Sequence, residues 1–302
     1  MAYTTINKST EHFDTKLYSG NGGTQTITGL NFQPDMTWVK SRNTTDGHTL
    51  QDAVRGFGST TKLSPYDTSG ENNASGGSYG NYGYQSAATS DGFTMVAGSI
   101  STYTGNGSAG ATVGHGLGVT PNIVIIKRFS SSEAWAFWSS SLAGNTSYLR
   151  LNGSDAVGTA SDLFNSTTPS NSLVTLGTGG FSNTNTETYV MYCFAEKTGY
   201  SKFGSYTGNG NADGTFVYTG FKPAFVMVKR SSGTESWQMT DSVRDKDVSP
   251  NFARLMPNST SAESTNTTWA KIEKFSNGFK LGGTDTVSNG SGSTYIYMAF
   301  AE

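Results

Sequence analysis

The sequence predicts an all-β protein of three tandem antiparallel β-sandwich units, jelly-roll-like and related by internal duplication. Three observations carry this expectation. Apolar runs alternate with period two, as strands require. Clusters of Gly, Ser, Asn and Asp such as NGNADG and SNGSGS interrupt those runs and mark turns between short strands. One set of motifs then occurs three times along the chain. No stretch of ten or more residues has apolar positions at helical spacing.

The first motif is YSGNG at residues 18–22 and YTGNG at residues 103–107 and 206–210. Each is followed by a proline that opens an apolar run ending in a basic residue: PDMTWVKSR from Pro34, PNIVIIKR from Pro121 and PAFVMVKR from Pro223. Lys40, Lys127 and Lys229 all stand six residues beyond their proline. Next, HTLQDAVRG from His48 matches WQMTDSVRD from Trp237, so Asp52 and Arg55 fall opposite Asp241 and Arg244. The middle copy, WAFWSSSLAG from Trp135, keeps the aromatic start without the charges. Every copy reaches a Gly-Phe step, at Gly92-Phe93, Gly180-Phe181 and Gly278-Phe279, and the last two close on YVMYCFAE from Tyr189 and YIYMAFAE from Tyr295.

These motifs divide the chain into residues 1–102, 103–205 and 206–302. Only nine residues separate Phe93 from Tyr103, so the last strand of the first unit is either missing or supplied by a neighbour. The joint after Glu196 is short, which predicts units packed on one another. In TYIYMAFAE, Ile296, Met298 and Phe300 share one face and Tyr295, Tyr297 and Ala299 the other. A strand apolar on both faces belongs at the centre of a sheet covered on both sides, whereas MTWVKSR alternates Trp38 with Thr37 and Ser41 and reads as half exposed.

Composition narrows the function classes. Charged residues are 14% of the chain, and glycine supplies 38 of 302 positions, so the chain is polar without being charged. An aromatic content of 12%, concentrated in the β-branched runs, is enough to build cores. A net charge of -2 offers no field for a phosphate backbone or an anionic membrane, which argues against nucleic acid as a partner. No apolar stretch approaches a membrane span and the N-terminus lacks the apolar core of a signal peptide, so synthesis in a cytosol without membrane insertion is expected. Cys193 stands alone in an apolar run and reads as a small core residue.

Signals for chemistry are weak. Residues 76–80, GGSYG, match the G-x-S-x-G nucleophile elbow without the helix that motif needs, and residues 105–110 match G-x-G-x-x-G in what reads as a turn between strands. His12, His48 and His115 are widely spaced, and the Asp245-Lys246-Asp247 stretch lacks the glycine and glutamate of a calcium loop, so neither metal nor cofactor is expected. Asp52/Arg55 and Asp241/Arg244 fit turn-bracing ion pairs. Trp135, Trp138 and Trp237 can stack on sugar rings or pack between units. The first unit carries an insertion, ENNASGGSYGNYGYQ, in which Tyr79, Tyr82 and Tyr84 alternate with Gly, Ser and Asn as in adaptable binding loops. Those three tyrosines, with the three tryptophans, are the expected ligand or partner contacts.

The phrases YTGNG, GFKPAFVMVKR, YCFAEKTGYSKFGSYTGNG, SNGFKLGG and YIYMAFAE resemble those of virion structural or tail-fibre-like proteins of marine bacteriophages, from the opening MAYTTI to the end of the chain. The resemblance implies a place on the virion, other virion proteins as partners, a host-surface glycan or protein as a further partner, and a homo-oligomeric or multi-copy arrangement; it brings no catalytic residues. Three functions are therefore weighed: a non-enzymatic protein decorating capsid or tail, a receptor-binding adhesin at a fibre tip, and a glycan-degrading tailspike, for which paired carboxylates on rigid strands would be needed.

Overall fold

The computed structural model describes residues 9–22, 24–71, 98–245, 252–266 and 271–301. Among these the chain is all-β apart from one 3-10 turn, Ser9–Glu11, and the strand ladders are antiparallel. β1 (Met36–Val39) pairs with β2 (Thr49–Asp52). The middle of the chain supplies β3 (Gly98–Thr104), β4 (Ala111–Gly114), β5 (Ile123–Arg128), β6 (Ala136–Ser139), β7 (Ser147–Arg150), β8 (Gly158–Thr159), β9 (Leu173–Leu176) and β10 (Thr188–Phe194). They form a six-stranded sheet, β3-β10-β5-β6-β7-β8, and the pair β4-β9. The C-terminal part supplies β11 (Ser201–Thr207), β12 (Phe216–Tyr218), β13 (Pro223–Arg230), β14 (Gln238–Asp241), β15 (Phe252–Arg254), β16 (Ser264–Asn266), β17 (Lys271–Phe275), β18 (Gly278–Gly282) and β19 (Thr294–Ala301). Here the sheets are β11-β19-β13-β14, β12-β18-β17 and β15-β16. β3 and β11 begin five residues before the tyrosine of their motif, so residues 98–102 and 201–205 belong with the strands that follow them.

Alternation decides what each strand buries. Ile123 and Ile125 of β5, with Val190, Tyr192 and Phe194 of β10, face a central core, while Val124, Ile126, Met191 and Cys193 face a second core under β4-β9. The same split recurs in β19: Ile296, Met298 and Phe300 join the central core, and Tyr295, Tyr297 and Ala299 face a third core under β12-β18-β17. β10 and β19 are thus central strands covered on both faces, while β1 is an edge strand of intermediate burial. Leu50 and Leu63 reach the central core from the N-terminal part, so all three parts of the chain share it.

Around that core, one set of hydrogen bonds occurs at three junctions and closes a ring. Trp135 Nε1 donates to the Ser64 carbonyl (3.1 Å), Trp237 Nε1 to the Arg150 carbonyl (2.9 Å), and His48 Nε2 meets the Met256 carbonyl (3.0 Å). Seven residues beyond each acceptor, the backbone N–H of Glu71, Val157 and Glu263 donates to the carbonyls of Phe129, Ser231 and Arg42 respectively, each eight residues beyond its proline. Lys127 and Lys229 add bonds to the carbonyls of Thr68 and Ser154, four residues beyond Ser64 and Arg150. N-terminal, middle and C-terminal parts are joined in a cycle rather than in a row.

The YTGNG motif closes each sheet end. Tyr103 stacks on Tyr189 at 5.2 Å and Tyr206 on Tyr295 at 4.9 Å. The backbone N–H groups of Asn106 and Asn209 donate to the side chains of Asn183 and Asn289, whose amides reach two further carbonyls each. The motif's last glycine, Gly22, Gly107 or Gly210, has φ near +76, +67 or +66, a conformation that strongly favours glycine. In the N-terminal part Tyr18 is 51% exposed. The Gly-Phe step does not hold as a shared element. Gly278-Phe279 opens β18, but Gly180-Phe181 lies in the turn between β9 and β10, and Val174 of β9 takes the inward position that Phe279 takes in β18. Gly92-Phe93 lies outside the described residues.

His48 makes one junction sensitive to acid. Trp38 Nε1 donates to its Nδ1 at 2.8 Å, so Nε2 carries the proton toward Met256 and a charged ring would set two donors against each other. Burial, with Lys40 and Arg244 nearby, lowers its pKa from 6.5 to about 3. Above 6.5 the ring is neutral in both states; below it the unfolded chain binds a proton that the folded chain refuses. Stability should therefore fall by up to about 1.4 kcal/mol per pH unit as the pH drops from the unfolded toward the folded value. Denaturant unfolding between neutral and acid pH should show a steeper loss in the wild type than in His48→Gln, and equal slopes would refute the assignment.

Candidate contact surface

Among the described residues the sheet β12-β18-β17 carries an exposed aromatic face. Val217, Phe279, Leu281 and Ile272 point into its core, so the residues between them point out. Outward on β12 are Phe216 and Tyr218, 45% and 65% exposed, and on β17 Phe275, 42% exposed. Register places Tyr218, Gly278 and Phe275 in one row across the three strands and Phe216, Lys280 and Glu273 in the next. The Phe216 and Phe275 rings meet edge to face at 6.1 Å. A Cβ on Gly278 would lie 2.8 Å from Phe216 Cζ and 2.2 Å from the Val217 carbonyl, so glycine is what lets the rings of both outer strands converge over the middle one. Lys280 is paired with Asp213 and faces Glu273 across the ladder, which leaves this face with little net charge. At the equivalent outward positions of β4 stand Thr112 and Gly114, so the shared fold does not require these rings.

Trp135, Trp138 and Trp237 are buried, and their expected role as ligand contacts is corrected to packing. Trp135 and Trp237 line the central core at the junctions, and Trp138 meets Phe164 edge to face in the middle core. All three face inward, Trp138 from within β6 and Trp135 and Trp237 from just before β6 and β14, which leaves no ring face for a sugar. Tyr79, Tyr82 and Tyr84, with the Ser78 elbow motif, lie outside the described residues, as do Lys246, Asp247 and Ser249. Asp245 forms a buried ion pair with Lys274 at 3.2 Å.

The repeated Asp/Arg pairs do come together, each with a second acid, Glu71 or Glu263, that the aligned motifs did not include. Arg55 Nε donates to Asp52 at 2.6 Å and Arg55 Nη1 pairs with Glu71, while Tyr192 of the middle part donates its hydroxyl to the same Asp52 oxygen at 2.7 Å. Arg244 pairs with Asp241 and with Glu263 at 3.0 Å, and Glu263 also accepts from Arg42. Burial works against ionised Glu263, but the bonds from Arg42 and Arg244 outweigh it and hold its pKa below the usual carboxylate value. The signal for the second acid was present: Leu-x-Pro at residues 63–65 and 255–257, with a glutamate six residues after each proline. Both clusters sit at junctions of the ring and serve as braces.

The remaining chemical groups are structural. Burial pushes the Cys193 thiol up to about 12, which keeps it protonated. His115 is tied to the Ser170 carbonyl and the Leu117 N–H. Among the described residues no group of three or more His, Cys, Asp or Glu is placed to hold a metal ion, and no helix is long and apolar enough to cross a membrane.

These features define an all-β protein of antiparallel sheets, braced by buried ion pairs and carrying an aromatic sheet face. The chain belongs to a family described as a domain of unknown function, DUF7483, whose model matches twice, over residues 8–99 and 84–302. No curated protein and no solved structure matches the chain.

Proposed function

We propose that this chain is a non-enzymatic surface protein of a bacteriophage particle, present in many copies on capsid or tail, where it stabilises the particle or presents a surface for host contact. The virion assignment rests on the sequence phrases that resemble marine phage structural proteins. The contact role is carried by one observation: Phe216, Tyr218 and Phe275 stand exposed together on one sheet face, and where β12 carries Phe216 and Tyr218 the equivalent strand β4 has only Thr112 and Gly114. Exposed rings held on a firm scaffold bury large area at small entropic cost, which suits a binding surface.

The finer architecture belongs to the same proposal. The chain holds three copies of one sandwich, with the expected boundaries after residues 102 and 205 moved to the starts of β3 and β11, closed into a ring about the central core. Equal spacing of the junction residues supports this, as does the shared order of β3-β10-β5-β6 and β11-β19-β13-β14. Its partners are other virion proteins and a host-surface glycan or protein, with no cofactor. An adhesin at a tail-fibre tip is the second reading, favoured by the aromatic face; a glycan-degrading tailspike ranks third.

Quantitative mass spectrometry of purified particles separates the first two: copies in the hundreds fit the capsid, a few to a few dozen fit a fibre tip. Purified protein should release no reducing sugar from host envelope polysaccharide, and release that depends on one carboxylate would overturn the non-enzymatic reading. Replacing Phe216, Tyr218 and Phe275 by serine should weaken attachment to host cells or to the particle while moving stability by no more than about 0.5 kcal/mol per site. Serine at Tyr79, Tyr82 and Tyr84 tests the insertion in the same assay. If both triple variants attach and assemble as the wild type does, neither surface is the contact.

A further inference from the structure

We infer that β1 is an acceptor edge, built to take one extended strand from another protein and so complete the N-terminal sheet. In the middle and C-terminal parts the proline strand is flanked on both sides: β5 lies between β10 and β6, and β13 between β19 and β14. β1 holds the matching place, since Met36 and Trp38 stand two and four residues beyond their proline, as do Ile123 and Ile125 of β5 and Phe225 and Met227 of β13. Yet among the described residues β1 pairs with β2 alone.

The direction of its backbone groups follows from neighbouring bonds. Ala53 N–H donates to the Asp35 carbonyl, and Leu50, opposite Trp38, spends both its backbone groups on Leu63. Because bonded and non-bonded pairs alternate in an antiparallel ladder, Thr37 and Val39 bond to β2, whereas Met36 and Trp38 turn their N–H and C=O groups to the open edge. A second feature marks the same gap. Tyr103 and Tyr206 stack on the first tyrosine of β10 and β19, while Tyr18, their counterpart, has no such strand to stack on among the described residues and is 51% exposed. Unpaired strand edges recruit strands, and strand addition is a standard mode of peptide recognition.

The filled slots define the occupant. Phe300 and Met298 of β19 sit opposite Phe225 and Met227, and Phe194 and Tyr192 of β10 sit opposite Ile123 and Ile125. The incoming strand therefore runs antiparallel to β1, with apolar side chains at alternate positions toward the central core and an aromatic ring for Tyr18. Among the described residues a second copy of this chain has no such strand to lend, because β10 and β19 are each bonded on both sides. The occupant is a foreign segment. Its chemistry is taken from the three-copy reading, whereas the open edge of β1 stands without it.

The test uses the full chain and a synthetic peptide of residues 294–301 flanked by lysines, titrated by fluorescence anisotropy. Within β19, Ala301 N–H donates to Tyr200 on the β11 side, so by alternation Met298 and Phe300 face β13. N-methylation of the peptide at Met298 and Phe300 should weaken binding at least about tenfold more than methylation at Tyr297 and Ala299, because only the first pair bonds to β1. Met36→Pro removes an outward N–H without touching a bond to β2, so it should weaken binding by a similar factor in a folded chain. If that variant does not fold, the methylation contrast still decides. The proposal is overturned by peptide binding indifferent to the methylation phase, by no binding at millimolar peptide, or by slow hydrogen exchange at Met36 and Trp38 in the free chain. A self-associated chain that the peptide cannot dissociate would likewise overturn it.

Discussion

Trp237→Ala should destabilise the chain by about 3–5 kcal/mol, as expected for emptying a large buried aromatic site. The indole is 1% exposed, packs on Phe137 at 4.7 Å and donates to the Arg150 carbonyl at 2.9 Å, so it serves the central core and the junction between middle and C-terminal parts together. Truncation leaves a cavity and a carbonyl without its donor. Net stabilities of folded proteins are about 5–15 kcal/mol, so the loss is a large fraction of the total and should lower the melting midpoint by roughly 10 °C. Trp237→Phe keeps most of the volume and should cost far less, the lost hydrogen bond being worth about 1 kcal/mol. Guanidinium unfolding of the three proteins checks this. A loss under about 1 kcal/mol for the alanine variant would mean that the junction is not a core element.

Arg55→Met should cost about 3–5 kcal/mol, because removing one partner leaves a buried charge uncompensated. Asp52 is fully buried, and without the guanidinium it keeps only the Tyr192 hydroxyl and the Arg55 backbone N–H as donors, while Glu71 and the Thr61 carbonyl each lose theirs. The double change Arg55→Met with Asp52→Asn should recover part of the loss, since a neutral amide can stay buried with fewer partners. A double-mutant cycle at neutral pH measures the coupling. If the methionine variant matches the wild type in unfolding midpoint, the brace at the first junction carries no energy. Arg244 holds the equivalent place beside Asp241 and Glu263, and Arg244→Met should lose a similar amount.

What can be read along a single strand was legible from residue order. The two-sided burial of β19 follows from its alternation, and the partial exposure of β1 from Thr37 and Ser41 around Trp38. The closing glycine of YTGNG follows from the positive φ of a tight turn. Asp52/Arg55 and Asp241/Arg244 lie three residues apart, so their pairing is local and needed no fold to predict. These features depend on contacts within a few residues, where chain connectivity already limits the geometry.

The tertiary structure decided which of two equally aromatic sets meets water. Trp135 and Trp237 stand immediately before β6 and β14, and Phe216 and Tyr218 lie in β12; period two assigns such residues to faces without saying which face another sheet covers. Only the ring of junctions puts the tryptophans inside, and only the position of β12 on an outer sheet puts Phe216 and Tyr218 outside. The same holds for Glu71 and Glu263, which reach their arginines 16 and 19 residues away once the Leu-x-Pro segments have turned back along β2 and β14. Chain order set the three motifs and their spacing; their closure into a cycle, and the edge it leaves on β1, follow from long-range hydrogen bonds whose partners no local pattern specifies.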